Sequence, residues 1–368
     1  MKKIMLVFGT RPEAIKMCPL VKELKRRKDM QITVCVTGQH REMLDSVLTA
    51  FDVIPQYDLC VMKEKQTLFD LTTDILNDIQ SVLEKEKPDI VLVHGDTTTA
   101  FAAALASYYM KIPVGHVEAG LRTYNNQSPY PEEFNRQAIS AIASLHFAPT
   151  AAAKENLLRE GRSCENVFVT GNTAIDALKT TVRADFSHSE LDWVGDGRLI
   201  LLTAHRRENL GEPMRRMFRA IRRILDEYPS VKALYPIHKN PLVREIAEEA
   251  LVDCHNLHII EPLDVISCHN IMAKSYLILT DSGGIQEEAP SLAKPVLVMR
   301  DTTERPEGIA AGTLKLVGTD EETIYRNCKL LLDDETAYRG MAETANPYGD
   351  GFACQRIADI LSDYIGRK

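Results

Sequence analysis

Short apolar runs rich in β-branched residues alternate with longer helical segments along most of the chain, and few folds accept that rhythm. In the first half the runs are 4–8, 32–36, 90–93, 114–117 and 145–148, separated by helical patterns such as 15–28, 68–85 and 98–110. The rhythm restarts after Gly171 with 199–203, 231–235, 257–260, 276–279 and 296–298. Apolar runs bounded by turns and joined through helices predict parallel strands covered on both faces. The economical architecture is α/β, with two doubly wound Rossmann-like domains facing a cleft. A chain of 368 residues is also too long for one ordinary core.

A hydrophobic fraction of 45% and a charged fraction of 26% describe a soluble globular protein. The net charge of -8 and a pI near 5.8 argue against a general binder of nucleic acid or of anionic membranes. An anionic ligand therefore has to meet a local basic patch. No apolar stretch approaches the roughly 18 residues of a spanning helix, and Met1-Lys2-Lys3 leads straight into a strand, so the expected location is cytoplasmic. Eight scattered cysteines form no Cys-x-x-Cys pair and are most simply read as reduced, packed thiols.

In open α/β sheets ligands sit beyond the carboxyl ends of the strands. Polar residues collect at those ends here: Gly9-Thr10-Arg11-Pro12-Glu13 then Lys16, His94-Gly95-Asp96-Thr97, and His116-Val117-Glu118-Ala119-Gly120-Leu121-Arg122. In the second half they are Thr203-Ala204-His205-Arg206-Arg207-Glu208-Asn209 and Pro236-Ile237-His238. The apolar run 275–279 stops at Asp281-Ser282-Gly283-Gly284 and passes into helix formers. A helix start carries unpaired amides and the positive end of the helix dipole, so it attracts phosphate. Gly283 and Gly284 allow close backbone approach, Ser282 is placed to cap the helix or to donate to phosphate, and Glu287 or Glu288 is placed to accept from ribose hydroxyls. Neither G-x-G-x-x-G after the first strand nor G-x-x-x-x-G-K-[ST] is present, which disfavours tightly held NAD and P-loop chemistry.

Taken together, these stretches resemble the non-hydrolysing UDP-N-acetylglucosamine 2-epimerases. The matching residues include 8–16, 94–97, 115–122, Pro131-Glu132-Glu133-Phe134-Asn135-Arg136, 205–208, 281–290 and 300–307, so the resemblance covers essentially the whole chain. It implies a GT-B-like fold, a homodimer, no metal and no cofactor, and interconversion of UDP-N-acetylglucosamine with UDP-N-acetylmannosamine. The domains expected on this basis are an N-terminal one over 1–170, a UDP-binding one over 171–345, and a last helix over 346–368 that returns to the first.

The proton on C2 of an N-acetylhexosamine has no adjacent carbonyl, and without NAD a neighbouring carbon cannot be oxidised transiently. Expelling UDP from C1 is the remaining route: it builds positive character beside C2, and proton loss then gives a glycal. Arg11, Lys16 and Arg305, with the amides of Ser282, Gly283 and Gly284, suit charge on departing UDP. Asp96, Glu118 and Glu132 suit proton traffic at C2, and His205 suits the leaving phosphate. Which carboxylate serves which sugar face is left open. Plainer roles compete: Asp96 as a helix N-cap, Glu132 as a partner of the helix dipole, Lys16 as a solvated helix residue, and Arg305 paired with Glu304 or Glu307. For Glu118, a near-buried carboxylate without a partner is costly, which favours function.

Alternate residues share one face of a strand, so His94-x-Asp96 and His116-x-Glu118 also suggest a metal site. In some members of the family a second UDP-N-acetylglucosamine binds beside the first; the corresponding residues here include Gln39, Glu132, Arg206 and His238, although Glu42 stands where activated members often carry Gln. The loop with Leu263 and Cys268 is expected to face uracil, with Cys268 where relatives often carry an aromatic residue. Two other readings are a hydrolysing relative, which lets water consume the glycal, and a GT-B glycosyltransferase or non-catalytic nucleotide-sugar sensor.

Overall fold

The computed structural model describes residues 1–38, 41–63, 65–303 and 305–366. Two compact units divide the chain: Met1–Thr180 with Gly349–Lys368, and Thr181–Tyr348.

The sheet of the first unit holds seven parallel strands among the described residues, β1 (Lys2–Phe8), β2 (Met30–Val36), β3 (Tyr57–Asp58), β4 (Ile90–His94), β5 (Val114–Val117), β6 (Leu145–Ala148) and β7 (Val167–Val169). Their order is β3-β2-β1-β4-β5-β6-β7. Ile4 to Val7 pair with Ile90 to Val93 in register, and Val91 to His94 with Val114 to Val117. Ile4 to Phe8 are fully buried, because helices cover both faces of the sheet. On one face Met5, Val7, Val91 and Val93 pack against Ala100, Ala103 and Ala104 of the helix Thr98–Tyr109, whose small residues permit close approach. Strand order reverses between β1 and β4, and that reversal opens a crevice at their carboxyl ends. The helix Ala353–Gly366 also belongs to this unit, and Asp176 accepts hydrogen bonds from the amides of Ala353 (3.1 Å) and Cys354 (2.9 Å) at its start.

The second unit repeats the scheme with six parallel strands among the described residues, β8 (Arg198–Thr203), β9 (Val231–Pro236), β10 (Leu257–Ile260), β11 (Leu277–Thr280), β12 (Val296–Val298) and β13 (Leu314–Leu316). They run β10-β9-β8-β11-β12-β13, so its reversal lies between β8 and β11. The helix Glu212–Glu227 buries Met214, Met217, Phe218, Ile221, Ile224 and Leu225 at helical spacing against this sheet. Its arginines are not an open basic patch: Arg215 pairs with Glu249, Arg219 with Glu212 and Glu321, and Arg223 with Glu321 and Glu322.

The expected α/β class and its two doubly wound sheets are present. Strands β3, β7 and β13 lacked a sequence signal; each is two or three residues long at a sheet edge, too short to display a period. The eight cysteines are free thiols, but packing holds for only some of them: Cys18, Cys35, Cys328 and Cys354 are buried, whereas Cys60 and Cys164 are exposed. Among the described residues no helix is long and apolar enough to cross a membrane.

Candidate functional site

Beyond β1, β4 and β5 of the first unit, three carboxylates share one electrostatic neighbourhood. Thr97 caps the helix Thr98–Tyr109 by accepting from the Ala100 amide at 3.0 Å, so Asp96 is not the N-cap and its carboxylate is left for other partners. Asp96 forms an ion pair with Arg136, and Asn135 donates to its carbonyl at 2.9 Å. Burial raises the Asp96 carboxyl above its ordinary value, Arg136 opposes that, and the nearby charges of Glu118 and Glu132 reinforce it. Glu132 stands at the start of the helix Glu132–Ile142, and its Oε2 is buried with no hydrogen-bond partner among the described residues.

Glu118 follows β5 with φ +64°, a left-handed conformation that a non-glycine residue holds only under constraint from its surroundings. It does not lack a partner, contrary to expectation. Lys16 forms an ion pair with it, Asn172 donates to Oε2 at 3.3 Å, and His94 Nε2 lies 3.8 Å away. Lys16 is therefore engaged with a carboxylate rather than standing as a solvated helix residue. Burial lowers His94 to about 4 and His116 to about 3, so both rings are neutral near pH 7. His116 Nε2 lies 2.7 Å from the Gly95 carbonyl, which makes it the protonated nitrogen. No group of three or more metal-ligating side chains is gathered among the described residues.

The turn after β1 is tied to the turn after β4 by Glu13. Its carboxylate accepts from the amides of Gly9 (3.0 Å) and Thr10 (2.8 Å) and from the Thr97 hydroxyl (2.7 Å). The Thr10-x-x-Glu13 capping box is a readable signal for half of this arrangement. Arg11 begins the same helix and is half-buried.

In the second unit the rim beyond β8 and β11 is organised by Asp281, which is fully buried. Its Oδ2 accepts from the amides of His205 and Arg206, both at 2.8 Å, and from Asn209 Nδ2 at 3.2 Å. Arg206 Nε donates to the Asp281 carbonyl at 3.2 Å, which anchors its guanidinium. The helix Gly283–Glu288 starts here. Ser282 makes no side-chain cap, contrary to one of its expected roles; the Thr280 hydroxyl accepts its amide at 2.9 Å instead. A Cβ on Gly283 would lie 3.6 Å from Arg206 Nη2 and 3.9 Å from Arg305 Nη2, so two guanidinium groups converge over the helix start. Gly284 faces open space.

Arg305 Nε donates to the buried Glu287, and Thr303 and Gln286 brace the loop through a 2.6 Å hydrogen bond. Arg305 is thus paired across the fold rather than merely with a sequence neighbour; Glu304 lies outside the described residues. Glu288 lies 3.5 Å from His269, which contacts Thr181 at 2.7 Å. Leu263 packs partly buried against the core and Cys268 is half-buried on the helix Val265–Lys274. His205, half-exposed, stacks on His238 with centroids 5.3 Å apart. Gln39 lies outside the described residues, as does the side chain of Glu42.

Glu13, Arg136, Asn172 and Asp281 are the site residues that the sequence left without roles. Only Glu13 and Arg136 had local signals, the latter from its spacing of three and four behind Glu133 and Glu132.

Residues 22–362 match a family model described as UDP-N-acetylglucosamine 2-epimerase. A UDP-N-acetylglucosamine 2-epimerase of Bacillus subtilis (strain 168) is 61% identical over 366 residues, which is 100% of this chain and 96% of the relative. The S. aureus MnaA-UDP co-structure superimposes with a TM-score of 0.90 at 55% identity, covering 100% of this chain and 97% of the other. A UDP-GlcNAc 2-epimerase from Neisseria meningitidis, solved bound to UDP-GlcNAc, gives 0.89 at 48% identity, covering 98% and 100%. With the match extending over nearly the whole chain and both doubly wound units, the protein belongs to the UDP-N-acetylglucosamine 2-epimerase family, whose members are isomerases.

Proposed function

We propose that this protein interconverts UDP-N-acetylglucosamine and UDP-N-acetylmannosamine by eliminating and re-adding UDP, without net hydrolysis. Arg206 and Arg305 over Gly283 take the diphosphate, and Glu288 the ribose. Relatives solved with UDP and with UDP-N-acetylglucosamine support a ligand of that class. Arg11 adds charge on the phosphates, while Leu263 and Cys268 flank the base.

The observation that carries the reading is the carboxylate neighbourhood of the first unit. A C2 inversion needs one acid that holds a proton and one base that lacks it, within reach of the same carbon. Asp96, raised by burial, suits the protonated member, and Glu118, salt-bridged to Lys16, suits the ionised one. In the first half-reaction the C2–H bond and the C1–O bond to UDP break, giving 2-acetamidoglucal and UDP. In the second, UDP oxygen returns to C1 and a proton reaches C2 from the opposite face. Glu132 stabilises positive charge developing at C1, and His205 steadies the leaving phosphate. The exchange is redox-neutral, so the route calls for no cofactor, and the working form is a homodimer.

Incubation with UDP-N-acetylglucosamine in heavy water tests the scheme. Deuterium at C2, UDP-N-acetylmannosamine as product and little free UDP are expected. Free N-acetylmannosamine with stoichiometric UDP would establish the hydrolysing reaction instead, and recovered sugar without deuterium would overturn the elimination route.

A further inference from the structure

We propose that Asp281 is a positioning residue that holds His205 with Nδ1–H directed at the buried carboxylate and Nε2 turned to the phosphate: the imidazolium gives its Nε2 proton to the departing phosphate oxygen, and Nε2 takes that proton back when UDP re-adds. The inference rests on the reading of His205 given above and adds the group behind it.

The geometry is asymmetric around one carboxylate. Oδ2 of Asp281 is saturated by two backbone amides and Asn209, whereas Oδ1 has no hydrogen-bond partner among the described residues. His205 Nδ1 lies 3.4 Å from that oxygen. A buried carboxylate oxygen left unpaired is costly, and a small turn of the imidazole closes the bond. The carboxylate itself is held in place, because Oδ2 accepts from two backbone amides and from Asn209. A carboxylate accepts but does not donate when ionised, so the ring nitrogen facing it must carry hydrogen.

His238 supplies an internal contrast. Its Nδ1 accepts from the Asn240 amide at 3.1 Å, so its hydrogen belongs on Nε2. Two stacked histidines should therefore hold opposite tautomers. The charged and titratable groups acting on His205 are Asp281, His238 and Arg206; burial lowers its pKa first, Asp281 works against that, and the other two add to it. Asp281 thus both orients the ring and favours the imidazolium, the form whose Nε2 proton goes to the departing phosphate and comes back from it on re-addition.

Long-range nitrogen–proton correlation spectra of the wild-type protein near pH 8, assigned with His205→Asn and His238→Asn, read the tautomers directly. His205 protonated on Nδ1 and His238 on Nε2 are expected; His205 protonated on Nε2 overturns the proposal whatever reaction the enzyme catalyses. Asp281→Asn keeps an oxygen for the two backbone amides, and it should lower kcat by on the order of 10²–10³-fold while UDP affinity stays within a few-fold. In a His205→Asn background the same change should cost less than about threefold, since its effect runs through the ring. Equal losses with and without His205 would mean that Asp281 acts only on the fold. Failure of deuterium to enter C2 in the wild type would count against the reaction scheme alone, because the tautomer measurement does not depend on turnover.

Discussion

Beyond β1, β4 and β5 the first unit commits two of its cations to its own carboxylates: Lys16 to Glu118 and Arg136 to Asp96. Beyond β8 and β11 the second unit converges two guanidinium ends over a glycine at a helix start, Arg305 being also paired with the buried Glu287, while Asp281 is held chiefly by backbone amides. Both rims occupy the same topological position, a reversal of strand order at the carboxyl edge of a parallel sheet. The shared scaffold therefore says where a ligand goes, and the loops say which charge it meets. One rim is suited to moving protons between carboxyl groups and carbon, the other to holding an anion.

Acidification should separate the two units most strongly. His94, His116 and His146 of the first unit are lowered to about 4, about 3 and about 4, in each case chiefly by burial. A histidine held neutral in the fold binds fewer protons there than in the unfolded chain, so stability is intact above about pH 6.5 and falls as the pH drops toward the folded value. At pH 5 each such ring costs ~2 kcal/mol; the carboxyls of Glu13, Asp96 and Asp176, raised by burial in the same unit, bind protons more readily in the fold and offset part of that cost. Amide exchange followed from pH 7 to pH 5 should show the strands of the first unit losing protection ahead of β8 and β11. Parallel loss in both units would remove this contrast.

Next in size is the effect on chemistry of Asp96→Asn and Glu118→Gln. Either should reduce C2 deuterium incorporation by roughly 10³-fold, while UDP binding, assigned to the other unit, stays near wild type. Wild-type exchange in one variant would remove that carboxylate from the proton path. Comparable loss of UDP affinity would break the division of labour between the rims.

The smallest effects come from the paired glycines. A methyl at Gly283 meets only ordinary contacts from Arg206 and Arg305, so the fold tolerates it, but it occupies the space over the helix start. Gly283→Ala should weaken UDP roughly tenfold by calorimetry. A methyl at Gly284 meets nothing within 4 Å. Gly284→Ala should leave stability unchanged or raise it by up to ~1 kcal/mol, read as a small rise in Tm. If Gly284→Ala weakens UDP as much as Gly283→Ala does, the directional reading of this helix start is wrong.

Much of this organisation was legible residue by residue. The central strands were, since a strand buried on both faces must be written as an unbroken apolar run. Edge strands such as β13 escaped because three residues carry no period. The Thr10-x-x-Glu13 box is a local signal of a helix start, but nothing in it shows that the same glutamate reaches Thr97 and joins two turns. Lys16 and Glu118 were each visible as candidates; their ion pair, 102 residues apart in sequence, was not.

Local chemistry written in order along the chain therefore determined the class of fold, the rims where chemistry collects and most of the residues that stand there. Tertiary structure alone decided the partners: which cation meets which carboxylate, which carboxyl is pushed up by burial, and which oxygen of Asp281 is left facing a histidine. The physical reason is that strand and helix formation follow from short-range periodicity and capping, whereas charge pairing and burial depend on distances that exist only after residues far apart in sequence are brought together.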